Sequence, residues 1–415
     1  MGVLFESRPP RLIDVPHSPA RPRMGVLFES RPPRLIDVPH SSARPRMGVL
    51  FESRPPRLID VPHSPARPRM GVLFESRPPR LIDVPHSSAR PRMGVLFESR
   101  PREQTFASFP VQQKRTRKGA LVATWPGQKD DSPRGLTAHV DTLGAMVKEI
   151  KNNGRLKLTK IGGFAWNTVE GEGVTIFTRQ GRTLRGSLLL AKASGHVHGS
   201  QVNEIKREDE AMEVRIDERT TSAEETRALG VEVGDFVAFD PRVEVNAGFV
   251  RSRHLDDKAC VACIAAAFKA LKDANLQPAQ TTTALISNYE EVGHGAASGF
   301  PVGLTELLSV DMAAVGEGQT SDEFHASLCV KDSGGPYHHG LSSRLRDLAD
   351  REGIAYKVDI YPYYGSDGEA FWRAGGDVAV ALIGPGVDAS HNYERTHTEA
   401  LEATTRWILA YLLAD

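Results

Sequence analysis

No run of apolar residues in this chain approaches the ~18 needed to cross a bilayer, and its start lacks the apolar stretch and small-residue cleavage site of a signal peptide. Both absences point to a cytoplasmic protein without a membrane partner. Cysteine is scarce, with three in 415 residues, so no disulfide framework is available. Cys260 and Cys263 form a CxxC, but within the apolar stretch ACVACIAAAF they read as buried reduced thiols rather than a redox pair or zinc knuckle. Net charge is absent too, since 52 Lys and Arg balance 52 Asp and Glu.

That balance hides an asymmetry. The unit MGVLFESRPPRLIDVPHSPARPR recurs from Met1, Met24, Met47 and Met70, with a truncated copy from Met93, and the full copies differ only at Pro19, Ser42, Pro65 and Ser88. Each carries four Arg against one Glu and one Asp, so four copies hold +8 and the remainder holds −8, which leaves no nucleic-acid footprint on the rest of the chain. A repeat of this length normally signals a solenoid. Here Pro9, Pro10, Pro16, Pro19 and Pro22 break any helix or central strand, and the near-identity looks like a recent duplication. Residues 1–102 therefore read as a disordered extension of polyproline II character, with a PxxP-type ligand or an arm for acidic partners as alternatives.

Past the repeats, about 310 to 320 residues remain, enough for one large or two ordinary domains. GALVATW and GLTAHVDTLGAMVKEI read as strands around a polar turn, giving a first segment of the α/β domain over 103–152. Short strands with turn residues between them fill 153–248 and predict an inserted all-β module. Over 249–415 strands and helices alternate: KACVACIAAAFKALKDA as a buried helix, TTTALISNYEEVG and ELLSVDM as strands, SSRLRDLADREG as an amphipathic helix, and ALEATTRWILAYLLA as the closing helix. The pattern is an α/β domain interrupted by a β module.

Acidic and imidazole groups collect at the ends of these strands: His139 and Asp141 in HVDT, Asp256 and Asp257 in LDDK, Glu290 and Glu291 in EEVG, Asp311 in SVDM, and His397 in ERTHTEAL. Singly each is weak, because an Asp before a helix is usually a cap. Together they form the inventory of a two-metal hydrolase. In His139-x-Asp141 both side chains lie on one side of a strand, so the His can bind metal while the Asp fixes its ring. Asp256, where a strand hands over to the buried helix, suits a carboxylate bridging two cations. If the strand continues through Glu290 and Glu291 they diverge, one toward metal and one toward the attacking water.

The ordered series AHVDTLGAMV, SRHLDDK, YEEVGHGA, SVDM and ERTHTEAL resembles the M42 family of metallo-aminopeptidases, from about Gly119 to the end of the chain. The resemblance implies a zinc-peptidase-like mixed central sheet flanked by helices, and two divalent metal ions per subunit, Zn2+ or Co2+. It implies metal ligation by His139, Asp256 as bridge, Glu291, Asp311 and His397, with Glu290 as general base and Asp141 orienting His139. The activity implied is hydrolysis of the N-terminal peptide bond of a substrate with a free amino terminus, by a metal-bridged hydroxide. The resemblance further implies a homo-oligomer, often a dodecamer, assembled partly through the β module, whose short strands offer edges to cover. Family members begin with helical sequence packed on the sheet. The short polar REQTFASFPVQQKRTRK in that place predicts an uncovered apolar patch.

Other histidines compete. His196 and His198 fall in the inserted module, and His338 and His339 follow a glycine-rich turn. His391 rivals His397, but THTEAL lies nearer the closing helix than SHNYE and fits the family's last ligand better. Alternative activities for the same site are an amidase or deacylase acting on a small peptide-like metabolite, or an impaired metal-binding scaffold. A glycosidase would need two separated carboxyls flanking a sugar bond.

Overall fold

In the computed structural model, backbone is described from Ser99 and side chains from Glu103, both through Asp415. The reading of the repeats lies outside these residues, save the backbone of Ser99–Arg102.

A twelve-stranded mixed sheet forms the α/β domain. At its centre four strands run parallel: Gln280–Ser287, Lys129–His139, Glu306–Val310 and Ala379–Asp388. Glu306–Val310 and Ala379–Asp388 are mostly apolar, and nearly every residue of Gln280–Ser287 and of the second half of Lys129–His139 is buried, as strands covered on both faces require. Alternate residues serve alternate faces. Leu136, Ala138, Leu308, Val310, Ala381 and Ile383 enter one core with the helices Leu255–Asp273 and Thr398–Leu413. Leu307, Val380 and Leu382 enter another, against Phe371 and Trp372 of the short helix Asp367–Arg373. Because the four strands are parallel, their carboxyl ends open on one edge, where α/β proteins place ligands. Cys260, Cys263 and Cys329 are buried thiols, none in a disulfide.

The insert is a closed six-stranded barrel, Gly144–Ile150, Leu156–Ile161, Met212–Ile216, Thr183–Leu190, Gly173–Phe177 and Phe236–Phe239 in order around it, with its own core including Trp166, Ile176 and Leu188. Its limits differ from the 153–248 read in the sequence. Gly144–Ile150 belongs to the barrel, because a turn after His139 carries the chain out of the sheet, and Glu244–Asn246 pairs with Phe249–Ser252 at the edge of the large sheet. A closed barrel has no strand edges, so the edge argument for assembly through this module falls away.

The uncovered patch expected near the start of the domain is also corrected. Helix Ser99–Ala107 and the turn after it bring Phe106 and Phe109 against Phe268, with ring centroids 5.8 and 5.9 Å away and both aromatics buried. Trp125 meets the same Phe268 ring at 5.3 Å, so two aromatic anchors close this end of the core.

Candidate metal centre

The carboxyl edge of the parallel strands gathers the candidate residues. His139 ends its strand, Asp311 follows Val310, and Glu290 and Glu291 lie in the turn beyond Ser287, not in a continuing strand. Asp256 enters from the helix Leu255–Asp273, whose first turn is irregular at Asp256 (φ −74°, ψ 105°) and Asp257 (φ −120°, ψ 28°). The carboxylate therefore projects at the junction of strand and helix. His391 arrives on the loop after Ala379–Asp388. Three non-glycine residues of these loops are left-handed, Tyr289 (φ 72°), Ala389 (φ 57°) and His391 (φ 64°), the kind of local strain that collects at functional sites.

Two groups of potential ligands result, and they share one residue. His139, Asp256 and Asp311 offer atoms all within 4.8 Å of one another, as do Asp256, Glu291 and His391. Asp256 Oδ1 lies 3.0 Å from His139 Nε2, and its Oδ2 lies 3.4 Å from His391 Nε2. Each carboxylate oxygen of Asp256 thus faces a different imidazole. Glu291 Oε2 is 3.6 Å from His391 Nε2, and Glu290 Oε2 is 3.7 Å from His139 Nε2.

The electrostatics match an imidazole and carboxylate site built for cations. Burial opposes the charge on Asp256, but His139 and His391 outweigh it and hold the carboxyl well below its usual range. The same contacts raise His391 to about 9 against its own burial, and Asp141 and Asp256 raise His139. The other acids go the opposite way. Burial, then Asp256, lifts Glu291 to about 7 and pushes Asp311 well up. Burial, then Asp311, Asp367 and Asp256, pushes Glu290 up against the pull of His139. So many buried carboxyls cannot all ionise beside two imidazoles unless cations join them. Nitrogen and oxygen donors without thiolate suit divalent ions such as Zn2+ or Co2+, so the residues present fit two such ions.

Of the residues that support the site, Glu394 and Asp367 escaped the sequence reading, while Asp257 and Asp141 were named in it. Buried Glu394 accepts from the backbone N–H groups of Asp256 (3.0 Å) and His391 (3.2 Å), tying the two loops together. The carboxylate of Asp257 accepts from His139 N at 3.2 Å. Asp367 accepts from Thr137 Oγ1 (2.9 Å), Ala296 N (2.7 Å) and Ser287 Oγ, joining the ends of two parallel strands. The only local signal for it was SDG before a helix, which reads as an ordinary cap. Asp141 accepts from Glu291 N at 3.1 Å. Its backbone carbonyl, at 3.0 Å, is nearer His139 Nδ1 than its carboxylate, at 3.6 Å.

The geometry does not bring His397 to either group. Its ring packs 4.9 Å from Phe249 and 5.2 Å from Phe324, and Nδ1 accepts from Glu399 N at 3.2 Å, capping the closing helix. Nε2 lies against Gly248, where an added Cβ would stand 2.2 Å away. His391, six residues earlier, is the histidine that stands with Asp256 and Glu291. Of the other histidines, His338 caps a helix by accepting from Leu341 N, and in the insert His196 is exposed and His198 half-buried, both away from either group.

A cleft of about 440 Å³ opens over Asp256, Glu290, Glu291, Asp311 and His391, and continues past Tyr364 to Glu369 and Arg373. No helix among the described residues is long and apolar enough to cross a membrane.

Comparison with known proteins agrees with this architecture. The family model of M42 glutamyl aminopeptidase matches residues 119–407. A Bacillus subtilis protein named "Putative aminopeptidase YhfE" is 47% identical over 311 residues, covering 75% of this chain and 90% of its own. Among solved structures, an aminopeptidase from the archaeon Desulfurococcus kamchatkensis superposes with a TM-score of 0.67 at 20% identity, covering 76% of this chain and 88% of its own. The Pyrococcus horikoshii TET1 peptidase, which can assemble into a tetrahedron or a large octahedral shell, superposes with a TM-score of 0.67 at 22% identity, covering 79% and 97%.

Proposed function

Because the chain belongs to the M42 glutamyl aminopeptidase family, a family of hydrolases, we propose that it removes the N-terminal residue of peptides at a two-metal centre. The observation that carries the reading is the sharing of Asp256 between two ligand groups, one oxygen toward each imidazole. His139 and Asp311 complete one position, Glu291 and His391 the other. Two divalent ions, Zn2+ or Co2+, would be held by these residues and would supply Lewis acidity toward the scissile carbonyl and lower the pKa of water.

The chain's own groups do the rest. Glu290 lines the cleft beside His139 without belonging to either ligand group. There its carboxylate takes the proton of the attacking water and returns it to the leaving amine. Asp141 holds the Glu290–Glu291 turn through the Glu291 N–H and backs the His139 ring. Asp257 and Glu394 fix the backbones of His139, Asp256 and His391, so the ligands need no rearrangement when substrate arrives. By analogy with the Pyrococcus horikoshii protein, the chain works as a homo-oligomer.

Turnover of unblocked against N-acetylated peptides by zinc- or cobalt-reconstituted protein tests this. Cleavage confined to free amino termini is expected. Preferential cleavage of the acetylated peptides would overturn it in favour of an amidase or deacylase.

A further inference from the structure

The two ligand groups differ in what stands behind their imidazoles. His139 Nδ1 meets the carbonyl of Asp141, two residues on in its own segment. His391 Nδ1 instead lies 2.5 Å from the carbonyl of Gly163, which belongs to the barrel. A ring nitrogen facing a carbonyl must carry the proton, which leaves the other nitrogen's lone pair free for a ligand role. His391 Nε2 faces Asp256 and Glu291. Resting on the two-metal reading above, we infer that the barrel is a working part of one metal position: the Gly163 carbonyl sets the tautomer and orientation of His391, so occupancy of the Asp256, Glu291 and His391 position depends on the barrel loop, and occupancy of the His139, Asp256 and Asp311 position does not.

The loop is built to present that carbonyl. Gly162 is left-handed (φ 82°), and a Cβ on it would stand 2.5 Å from Leu143 Cδ2 and 3.4 Å from the Glu291 carbonyl oxygen. Only glycine lets the loop pass this close to the metal centre. Lys160 Nζ donates to the Phe164 carbonyl at 2.7 Å and stands over the rings of Phe164 (5.3 Å) and Trp166 (5.2 Å). Those rings pack edge-on to each other, and Phe164 packs edge-on to Phe239, in the barrel core. The barrel is in turn pinned to the segment that carries Asp256. Arg253 Nη1 donates to the Thr168 carbonyl at 2.7 Å, and its Nη2 donates to buried Glu172 at 2.5 Å. His391, with a side chain 39% exposed against 2% for His139, is the less enclosed of the two rings, so the Gly163 contact counts for more in orienting it.

Zinc bound per full-length chain, measured after loading and dialysis alongside circular dichroism, tests the inference. Gly162→Val should reduce two equivalents to about one, as should His391→Ala, and the double variant should lose no more than either single. Lys160→Met, which loosens the loop without a clash, should weaken only the same equivalent, by about 10-fold or more. It carries the test if Gly162→Val fails to fold. Wild-type stoichiometry and affinity in the loop variants, with His391→Ala reduced to one equivalent, would overturn the inference and leave the two-metal reading standing. Two equivalents retained by His391→Ala would overturn both.

Discussion

The two halves of the candidate centre are made of different material. His139 and Asp311 stand at the ends of neighbouring parallel strands, buried, with positions fixed by the ladder of the central sheet. Glu291 and His391 sit on loops, one beyond Ser287 and one in a left-handed turn, and His391 leans on a separate module for its ring contact. Asp256 belongs to both. The difference teaches that the sheet edge supplies two of the three residues of one group, while Glu291 and His391 of the other are placed by long-range contacts through Glu394, Asp141 and Gly163.

Substitutions separate the halves. Asp256→Asn removes the shared ligand and should empty both positions, with turnover falling about 10⁴-fold or more, since each bound cation is worth several kcal/mol. Metal analysis with a peptide assay checks it, and one retained equivalent would mean that Asp256 serves a single ion. Glu290→Gln leaves both halves intact and should keep two equivalents while turnover falls about 10³-fold. A variant within about threefold of wild type would remove Glu290 from the mechanism. His391→Ala breaks only the loop-built half: one equivalent should remain, with turnover down about 10²-fold.

His397→Ala should touch neither half. Both ions stay and turnover holds within about threefold, while loss of its capping contact costs about 1 kcal/mol, or about 2–4 °C in melting temperature for a domain of this size. If this substitution instead loses metal, His397 rather than His391 is the ligand.

The same division explains what the sequence disclosed. The sheet-built half was legible because it rests on local rules. An HxD at the end of an apolar strand, an Asp after ELLSV and an acidic pair before a buried helix each follow from periodicity and strand-to-helix order. Of the loop-built half only Glu291 was named, and His391 was passed over. His391 and His397 lie six residues apart in one segment, and the choice between them is made by the left-handed turn at Ala389 and His391 and by Glu394 bonding two distant backbone N–H groups. No periodic pattern encodes either feature. The barrel's limits were misjudged for a related reason: Gly144–Ile150 follows His139 within one strand-like stretch, GLTAHVDTLGAMVKEI, and only its partners Leu156–Ile161 and Phe236–Phe239 assign it to the insert. The helix before the domain was missed because it anchors through Phe106, helped by Phe109 just beyond its end, too few apolar residues for a stripe.

The central claim is that two ions share Asp256, one held by the sheet edge and one by the loops. Anomalous difference maps from crystals of the zinc-loaded protein, collected at the zinc edge, test it most directly. Two peaks about 3.5–4 Å apart are predicted, one among His139, Asp256 and Asp311 and the other among Asp256, Glu291 and His391. A single peak, or a second peak at His397, would contradict it.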